Sequence, residues 1–161
     1  MHFPRTFVNL LLITLLIGCI HPAEETTTEQ IRTEPKTIND LELVLKASKA
    51  SYKPGESITL ELIVTNKGNE AFKETFRSAQ LYDFVVEKDE KEIWRWSHDR
   101  MFAMMLTEFA LEPQESVTYK ETWDQKGDDG NFVESGKYNL VGILKTHPET
   151  HSFLIVIEIR D

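Results

Sequence analysis

An antiparallel β-sandwich is the fold this sequence predicts, on three observations. Apolar and polar residues alternate with period two from Asp40 onward, turn-forming residues separate the alternating stretches at short intervals, and only Asp99–Phe109 breaks the pattern. Strict alternation puts every second side chain on one face, the mark of a half-buried strand. The chain has 161 residues, enough for one core rather than two. With 40% hydrophobic residues, including nine Phe, four Tyr and three Trp, that core is of ordinary size and wholesale disorder is excluded.

The first segment reads as an address rather than as part of the fold. Arg5 and the amino terminus form a short positive region, followed by an apolar run from Phe7 to Ile17 interrupted only by Asn9 and Thr14. Eleven residues are too few to span a bilayer, which takes about 20, and suit the apolar core of a secretory signal. The run ends in Leu16-Ile17-Gly18-Cys19, which resembles the bacterial lipobox. In that resemblance residues 1–18 are removed, and Cys19 is lipidated and becomes the first residue of the mature protein. Cys19 is the sole cysteine, which excludes an internal disulfide and a cysteine-based zinc cage. The competing reading is an anchor helix that merely contains a cysteine. Residues 19–38 then read as the lipidated cysteine and a flexible tether, rich in Glu, Thr and Pro without a sustained apolar period. Ile20 after the cysteine, in place of Asp, implies the outer membrane if the cell has one.

The domain proper is expected over 39–161. Leu41, Leu43 and Leu45 share one face of a first strand, and Ile58, Leu60, Leu62 and Val64 one face of the next. Gln80–Glu87 and Glu92–Ser97 add two strands, the second with Trp94 and Trp96 on one side and Ile93 and Arg95 on the other. Val117, Tyr119 and Trp123 share a face, as do Tyr138, Leu140 and Leu144, and Phe153, Ile155, Ile157 and Ile159 close the chain. The breakers are Lys53-Pro54-Gly55-Glu56, Asn66-Lys67-Gly68-Asn69, Glu112-Pro113-Gln114-Glu115, Gly127-Asp128-Asp129-Gly130 and Glu134-Ser135-Gly136-Lys137. Pro54-Gly55 fits a type II turn, since Pro fixes φ at the first corner and Gly supplies positive φ at the second. Seven or eight short strands make a sandwich. Glu134-x-Gly136-x-Tyr138-x-Leu140 resembles the tyrosine corner of immunoglobulin-like domains, with Leu140 standing where antibodies place a cysteine. The all-β fold is therefore expected to be an immunoglobulin-like antiparallel β-sandwich. Asp99–Phe109 reads as a long connection with room for one helical turn.

Little in the sequence points to catalysis. The net charge of −9, or −10 once Arg5 is removed with residues 1–18, argues against nucleic-acid binding, which needs clustered Lys and Arg. His98 and Asp99, as strand neighbours, are expected to point to opposite faces. His147 and His151 are separated by Pro148, which spoils a metal geometry. Asp128-Asp129-Gly130-Asn131 lacks the calcium-loop spacing and reads as a solvated turn. No phosphate loop, nucleophile elbow or dinucleotide fingerprint occurs. The expectation is a protein that is not an enzyme and has no cofactor or metal.

Tyr82-Asp83-Phe84-Val85-Val86, Glu92-Ile93-Trp94-Arg95-Trp96-Ser97, Met101-Phe102, Leu111-x-Pro113-x-Glu115-Ser116, Thr122-Trp123-Asp124 and Gly136-x-Tyr138 occur in this order. The ordered set, over residues 43–146, resembles the intracellular proteinase inhibitor (BsuPI) domain family. The resemblance implies an immunoglobulin-like sandwich and inhibition of a subtilisin-type serine protease, with no catalytic residues to carry over. Gln114 stands where that family has Gly after Pro, which favours a type I turn. The lipobox is a second departure, because a lipoprotein does not meet a cytosolic protease.

Inhibition requires a loop held rigidly in a protease cleft with a large apolar residue in the primary pocket, since ordering a loop on binding costs affinity. Arg100, Met101, Phe102, Met104, Met105 and Leu106 are the candidate protease or partner contacts. Alternatively, Met101 and Phe102 cap the end of the core. Two functions stay open: a membrane-anchored, extracytoplasmic inhibitor-like lipoprotein acting on a protein partner such as a subtilisin-like serine protease, and a non-inhibitory adhesion or assembly module of the cell envelope. An exposed loop favours the first, a buried one the second.

Overall fold

The computed structural model describes residues 30–161, so the predicted signal segment, Cys19 and residues 20–29 lie outside the described residues. Thirteen strands follow: β1 (Ile31–Arg32), β2 (Lys36–Ile38), β3 (Leu41–Ala47), β4 (Ser51–Tyr52), β5 (Ile58–Asn66), β6 (Phe72–Phe76), β7 (Tyr82–Lys88), β8 (Lys91–Arg95), β9 (Thr107–Leu111), β10 (Ser116–Trp123), β11 (Gly136–Leu144), β12 (Thr150–His151) and β13 (Ile155–Ile159). One sheet runs β1-β3-β5-β10, with β2 also paired to β3. The other runs β4-β13-β11-β7-β8, with β12 on β11, and β6 and β9 form a separate ribbon. Every pairing is antiparallel except the two-residue pairing of β4 with β13. The all-β, immunoglobulin-like sandwich expected from the sequence is the fold observed.

Period-two patterning places the core where the sequence puts it. Leu41, Leu43, Leu45 and Ala47 of β3 and Ile58, Leu60, Leu62 and Val64 of β5 are buried against Phe84, Val86, Tyr138, Leu140, Ile155, Ile157 and Ile159 of the facing sheet. Each Leu, Ile, Val or Phe among them contributes about 1.5–3 kcal/mol when fully buried. The layers close over Gly142, where a Cβ would lie 2.9 Å from Leu62 Cδ1 and 3.4 Å from Leu45 Cδ1. The Tyr138 hydroxyl donates to the Glu134 carbonyl at 2.6 Å, which completes the tyrosine corner.

The registers define two poles. Ala47 lies opposite Leu60, and Trp123 opposite Ile58. The Trp123 ring sits 5.7 Å from that of Tyr138, so this end of the first sheet covers the Gly136–Ile159 end of the second. At the other pole Leu41 and Phe72 line a shallow cleft with Thr146 and Pro148, just beyond Leu144, which pairs with Tyr82. Ile31 pairs with Ala47, so the chain joins the sandwich at the first pole. The connection after β8 departs at the second pole, where the Trp96 N–H donates to the Phe84 carbonyl.

Several expectations are corrected. The tether does not extend through residue 38, because β1 and β2 pair with β3, and the Thr33 hydroxyl accepts a hydrogen bond from the Leu45 N–H at 3.0 Å. Ile31 packs on the core and Ile38 pairs with Leu41, a short apolar pattern hidden among charged residues. Phe153 is exposed, because the strand begins only at Ile155. The Asp99–Phe109 stretch has no helical turn and is not a connection throughout. The His98 and Arg100 N–H groups donate to the carbonyls of Arg95 and Ser97 in two successive turns, the chain continues without helix or strand to Leu106, and Thr107–Phe109 already belong to β9, paired with β6. Gln114 does not occupy a type I turn. Its φ is +66°, the value of a type II second corner, even though Gln is not favoured there. Asn66 imposes that geometry, because its carbonyl accepts from the Gln114 N–H at 2.8 Å while its own N–H donates to the Glu115 carbonyl at 3.0 Å. Gly55, at φ +78°, has the type II turn the sequence predicts.

A left-handed residue other than Gly is disfavoured by about 1–2 kcal/mol, partly offset on substitution by the greater unfolded-state freedom of Gly. Gln114→Gly is expected to stabilise the domain by about 0.5–1 kcal/mol, read as a higher urea midpoint at unchanged slope.

Candidate functional site

The candidate site is the connection from Ser97 to Leu106, and its foundation is Asp83. Asp83 lies on the face of β7 turned away from the inter-sheet core, yet is 1% exposed. Its Oδ1 accepts from the N–H groups of Phe84 at 3.0 Å and Ser97 at 3.2 Å. Its Oδ2 accepts from Arg95 Nη1 at 2.9 Å, Ser97 Oγ at 2.6 Å and Gln80 Nε2 at 3.1 Å. The hydrogen bonds that Arg95 donates, to Glu92 first and to Asp83 next, hold its guanidinium above its ordinary range against the burial that opposes it. One carboxylate thereby joins β7, the end of β8 and the start of the loop.

On the core side of the same strands the loop rests on an aromatic stack. Tyr119 of β10 stacks on Tyr82 of β7 at 4.2 Å between centroids, Tyr82 on Trp96 at 4.6 Å, and Phe102 lies 5.7 Å from Trp96. The Tyr82 hydroxyl donates to Glu121 Oε1 at 2.6 Å. Burial, reinforced by that carboxylate, pushes the Tyr82 phenol well above its ordinary range, and burial alone pushes Tyr119 up to about 12. Trp96 Nε1 and Tyr119 Oη in this stack are buried without a hydrogen-bond partner, as is Thr107 Oγ1 at the start of β9.

The loop residues divide into braces and presented side chains. The Arg100 guanidinium lies 4.3 Å from the Trp96 ring centroid, and its Nε donates to the Trp96 carbonyl at 3.1 Å. Phe102 is half-buried against the core, and the Ala103 carbonyl accepts from the Ala79 N–H at 3.0 Å. Between these braces Met101 is 100% exposed, and Met104 (88%), Leu106 (72%) and Met105 (54%) follow it into solvent. Of the six candidate contacts, then, Met101, Met104, Met105 and Leu106 are displayed, and Phe102 and the Arg100 side chain hold the display. Of the two residues read as a possible cap on the core, only Phe102 acts as one.

The other polar candidates lie elsewhere. His98 and Asp99 are in a turn rather than a strand, so they do not point apart: His98 Nε2 is 3.9 Å from Asp99, and its Nδ1 is 3.4 Å from Asp128. Asp128 is more than a solvated turn residue, because its Oδ1 accepts from the Arg95 N–H at 3.0 Å and closes the outer edge of β8. Asp129 is exposed, with its carboxyl held below the ordinary range by Asn131. Among the described residues no three His, Cys, Asp or Glu side chains group as metal ligands. Sequence reasoning missed the Asp83 network, although Asp83, Arg95 and Ser97 recur at the period that puts Arg95 and Ser97 on one strand face.

A β-sandwich presenting one braced, apolar loop at a pole is the class of molecule defined here. The sequence profile of the intracellular proteinase inhibitor family, BsuPI, matches residues 45–149, and the chain belongs to that family. It therefore carries a proteinase-inhibitor-like domain, whose expected partner is a protein. No curated protein matches the chain. Among solved structures it is similar to the sporulation control protein Spo0M of Bacillus subtilis, at 18% identity and TM-score 0.48 over 77% of this chain and 51% of that one. It is also similar to the alkylpurine DNA glycosylase AlkC of Pseudomonas fluorescens, at 12% identity and TM-score 0.46, over 71% of this chain and 28% of that one. The CARDB domain of PF1109 from Pyrococcus furiosus is similar at 12% identity and TM-score 0.44, over 74% and 94% of the two chains. The chain thus spans only about a quarter of AlkC and half of Spo0M, and these TM-scores are too low for any property of those proteins to pass to it.

Asp83→Asn keeps the shape but replaces an acceptor oxygen by an NH2 facing donors on Arg95, Ser97 or Gln80. Leaving one partner of a buried charged network unmatched costs about 3–5 kcal/mol, so a loss of about 3 kcal/mol in urea unfolding is expected, together with faster proteolysis within 97–106.

Proposed function

We propose that the protein is a membrane-anchored, extracytoplasmic inhibitor of a subtilisin-like serine protease, with Met101 entering the primary pocket. The observation that carries this reading is the fully exposed Met101 between two braced neighbours. A protease cleft gains most from a loop whose conformation is fixed before contact, because less ordering entropy is then lost on binding. An unbranched thioether fills an apolar pocket adaptably. This seating brings the Met101–Phe102 peptide bond to the protease nucleophile. Hydrolysis would add one water across that bond, giving a carboxylate on Met101 and an amine on Phe102. Both new ends would stay in place, the first through Arg100 on Trp96 and the second through Phe102 on Trp96 and Ala103 on Ala79. Release is then slow, which is inhibition rather than consumption.

The anchor in this reading is lipidated Cys19, which places the protein at the cell envelope, on the outer membrane where the cell has one. Support comes from the lipobox-like Leu16-Ile17-Gly18-Cys19 and from the poles of the sandwich. Ile31 joins the fold at the end opposite the Met101 loop, so a lipid attached upstream leaves the loop facing away from the membrane. Two acyl chains suffice for stable anchoring, at about 0.8 kcal/mol per buried methylene.

A second reading, an envelope assembly module, draws on Phe153, Leu154 and Val156, which are about half exposed on and beside β13. It is told apart by which substitution matters, Val156→Ser for assembly and Met101→Gly for inhibition.

Titration of the folded domain against subtilisin-like and secreted serine proteases is expected to show inhibition at submicromolar concentration. Met101→Gly is expected to weaken it at least about 30-fold, the effect of an interface hot spot worth about 2 kcal/mol. A folded wild-type domain that inhibits none of them at micromolar concentration overturns the reading. Metabolic labelling with an alkynyl fatty acid is expected to tag the full-length protein and to fail with Cys19→Ser, which should also leave the membrane fraction.

A further inference from the structure

The chain contains four methionines and one cysteine: Met1, Met101, Met104, Met105 and Cys19. Every sulfur atom of the described residues therefore lies in five consecutive positions of one loop, and the buried core contains none. Met101 and Met104 are almost wholly exposed and Met105 is half exposed, whereas the stack beneath them is formed by Tyr119, Tyr82, Trp96 and Phe102.

We infer that Met101, Met104 and Met105 are a reversible oxidation site through which peroxide-class oxidants switch the presented loop off while leaving the sandwich folded. The inference rests on the inhibitory reading of the loop. In the step, a thioether lone pair attacks one peroxide oxygen. The O–O bond breaks as the S–O bond forms, sulfur loses two electrons, and the departing oxygen leaves as water after proton transfer. The product is a sulfoxide, a polar and chiral group in place of an apolar, flexible one. Burying such a group in an apolar pocket without a hydrogen-bond partner costs about 1–3 kcal/mol, which corresponds to about 5- to 150-fold in the inhibition constant. Oxidation elsewhere in proteins commonly disrupts cores; here the core has no thioether to oxidise, so the chemical change is confined to the contact surface. Reduction by a methionine sulfoxide reductase restores the thioether and with it the contact.

The test treats the folded protein with hydrogen peroxide and reads four quantities: sulfoxide positions by peptide mass mapping, the melting temperature, the inhibition constant before and after treatment, and the same constant after reductase treatment. One added oxygen on each of Met101, Met104 and Met105, an unchanged melting temperature, and inhibition weakened by about 5- to 150-fold and restored by the reductase are expected. The triple variant Met101→Leu, Met104→Leu, Met105→Leu, whatever its own potency, should show a ratio of treated to untreated constants near one. Full oxidation of Met101 with undiminished inhibition overturns the switch and leaves the inhibitory reading standing. Loss of inhibition that accompanies unfolding overturns it as well. A native protein that inhibits nothing overturns the inhibitory reading, and the switch with it.

Discussion

Asp83 is the constraint on which the presented loop depends. A carboxylate removed from water is costly unless it is matched by donors, and five donors converge on this one. They come from three places in the chain: the approach to β7, β7 itself, and the β8 end that becomes the loop. The network fixes the backbone at Ser97, where the loop begins. On the other face of the same strands, Trp96 receives both Arg100 and Phe102. Polar satisfaction outside and ring stacking inside thus act on neighbouring residues, and the segment between them has little freedom left to lose.

Two buried amides do comparable work at the turns. Asn66 donates to the carbonyls of Glu70 and Leu111 and accepts from the Gly68 N–H, tying the end of β5 to the ribbon of β6 and β9. Gln125 accepts from the Gly55 N–H and donates to the carbonyls of Lys53 and Glu56, closing the Pro54-Gly55 turn at the opposite pole. Each sits where apolar packing stops and backbone groups would otherwise be buried without partners. The left-handed Gln114 is held by the backbone of the same Asn66, whose carbonyl accepts from the Gln114 N–H and whose N–H donates to the Glu115 carbonyl.

The fold was legible wherever one signal dominated. In β3 and β5 nothing competes with period two, so Leu41 to Val64 partition as read. Tyr138 was legible because a tyrosine corner is a local pattern whose hydrogen bond spans four residues. The ribbon of β6 and β9 was not, because Glu74 interrupts the apolar face of Phe72 and Phe76, and the partner strand with Phe109 begins inside the stretch that breaks the alternation. The strands at 31–38 were hidden by their brevity. In the site, the exposed Met and Leu side chains followed from their departure from alternation, whereas their braces depend on contacts across long sequence separations. Ala79 to Ala103 and Asp83 to Ser97 have no local signature, and Phe102 looks no different in sequence from a displayed residue.

The placement of Ile31 and the Met101 loop at opposite poles has a consequence for what the domain is able to reach. β5 has nine residues, so the body is on the order of 30 Å tall. With the proposed lipid at its foot, a protease docked on the crown would have its cleft turned down toward the bilayer. Enzymes freely diffusing in the adjoining compartment meet that demand at once. One fixed to the same membrane meets it only if a stalk of similar height lifts its catalytic face and leaves it free to bend over. Under the proposed anchoring and inhibition, the architecture would sort proteases by stature as well as by pocket chemistry.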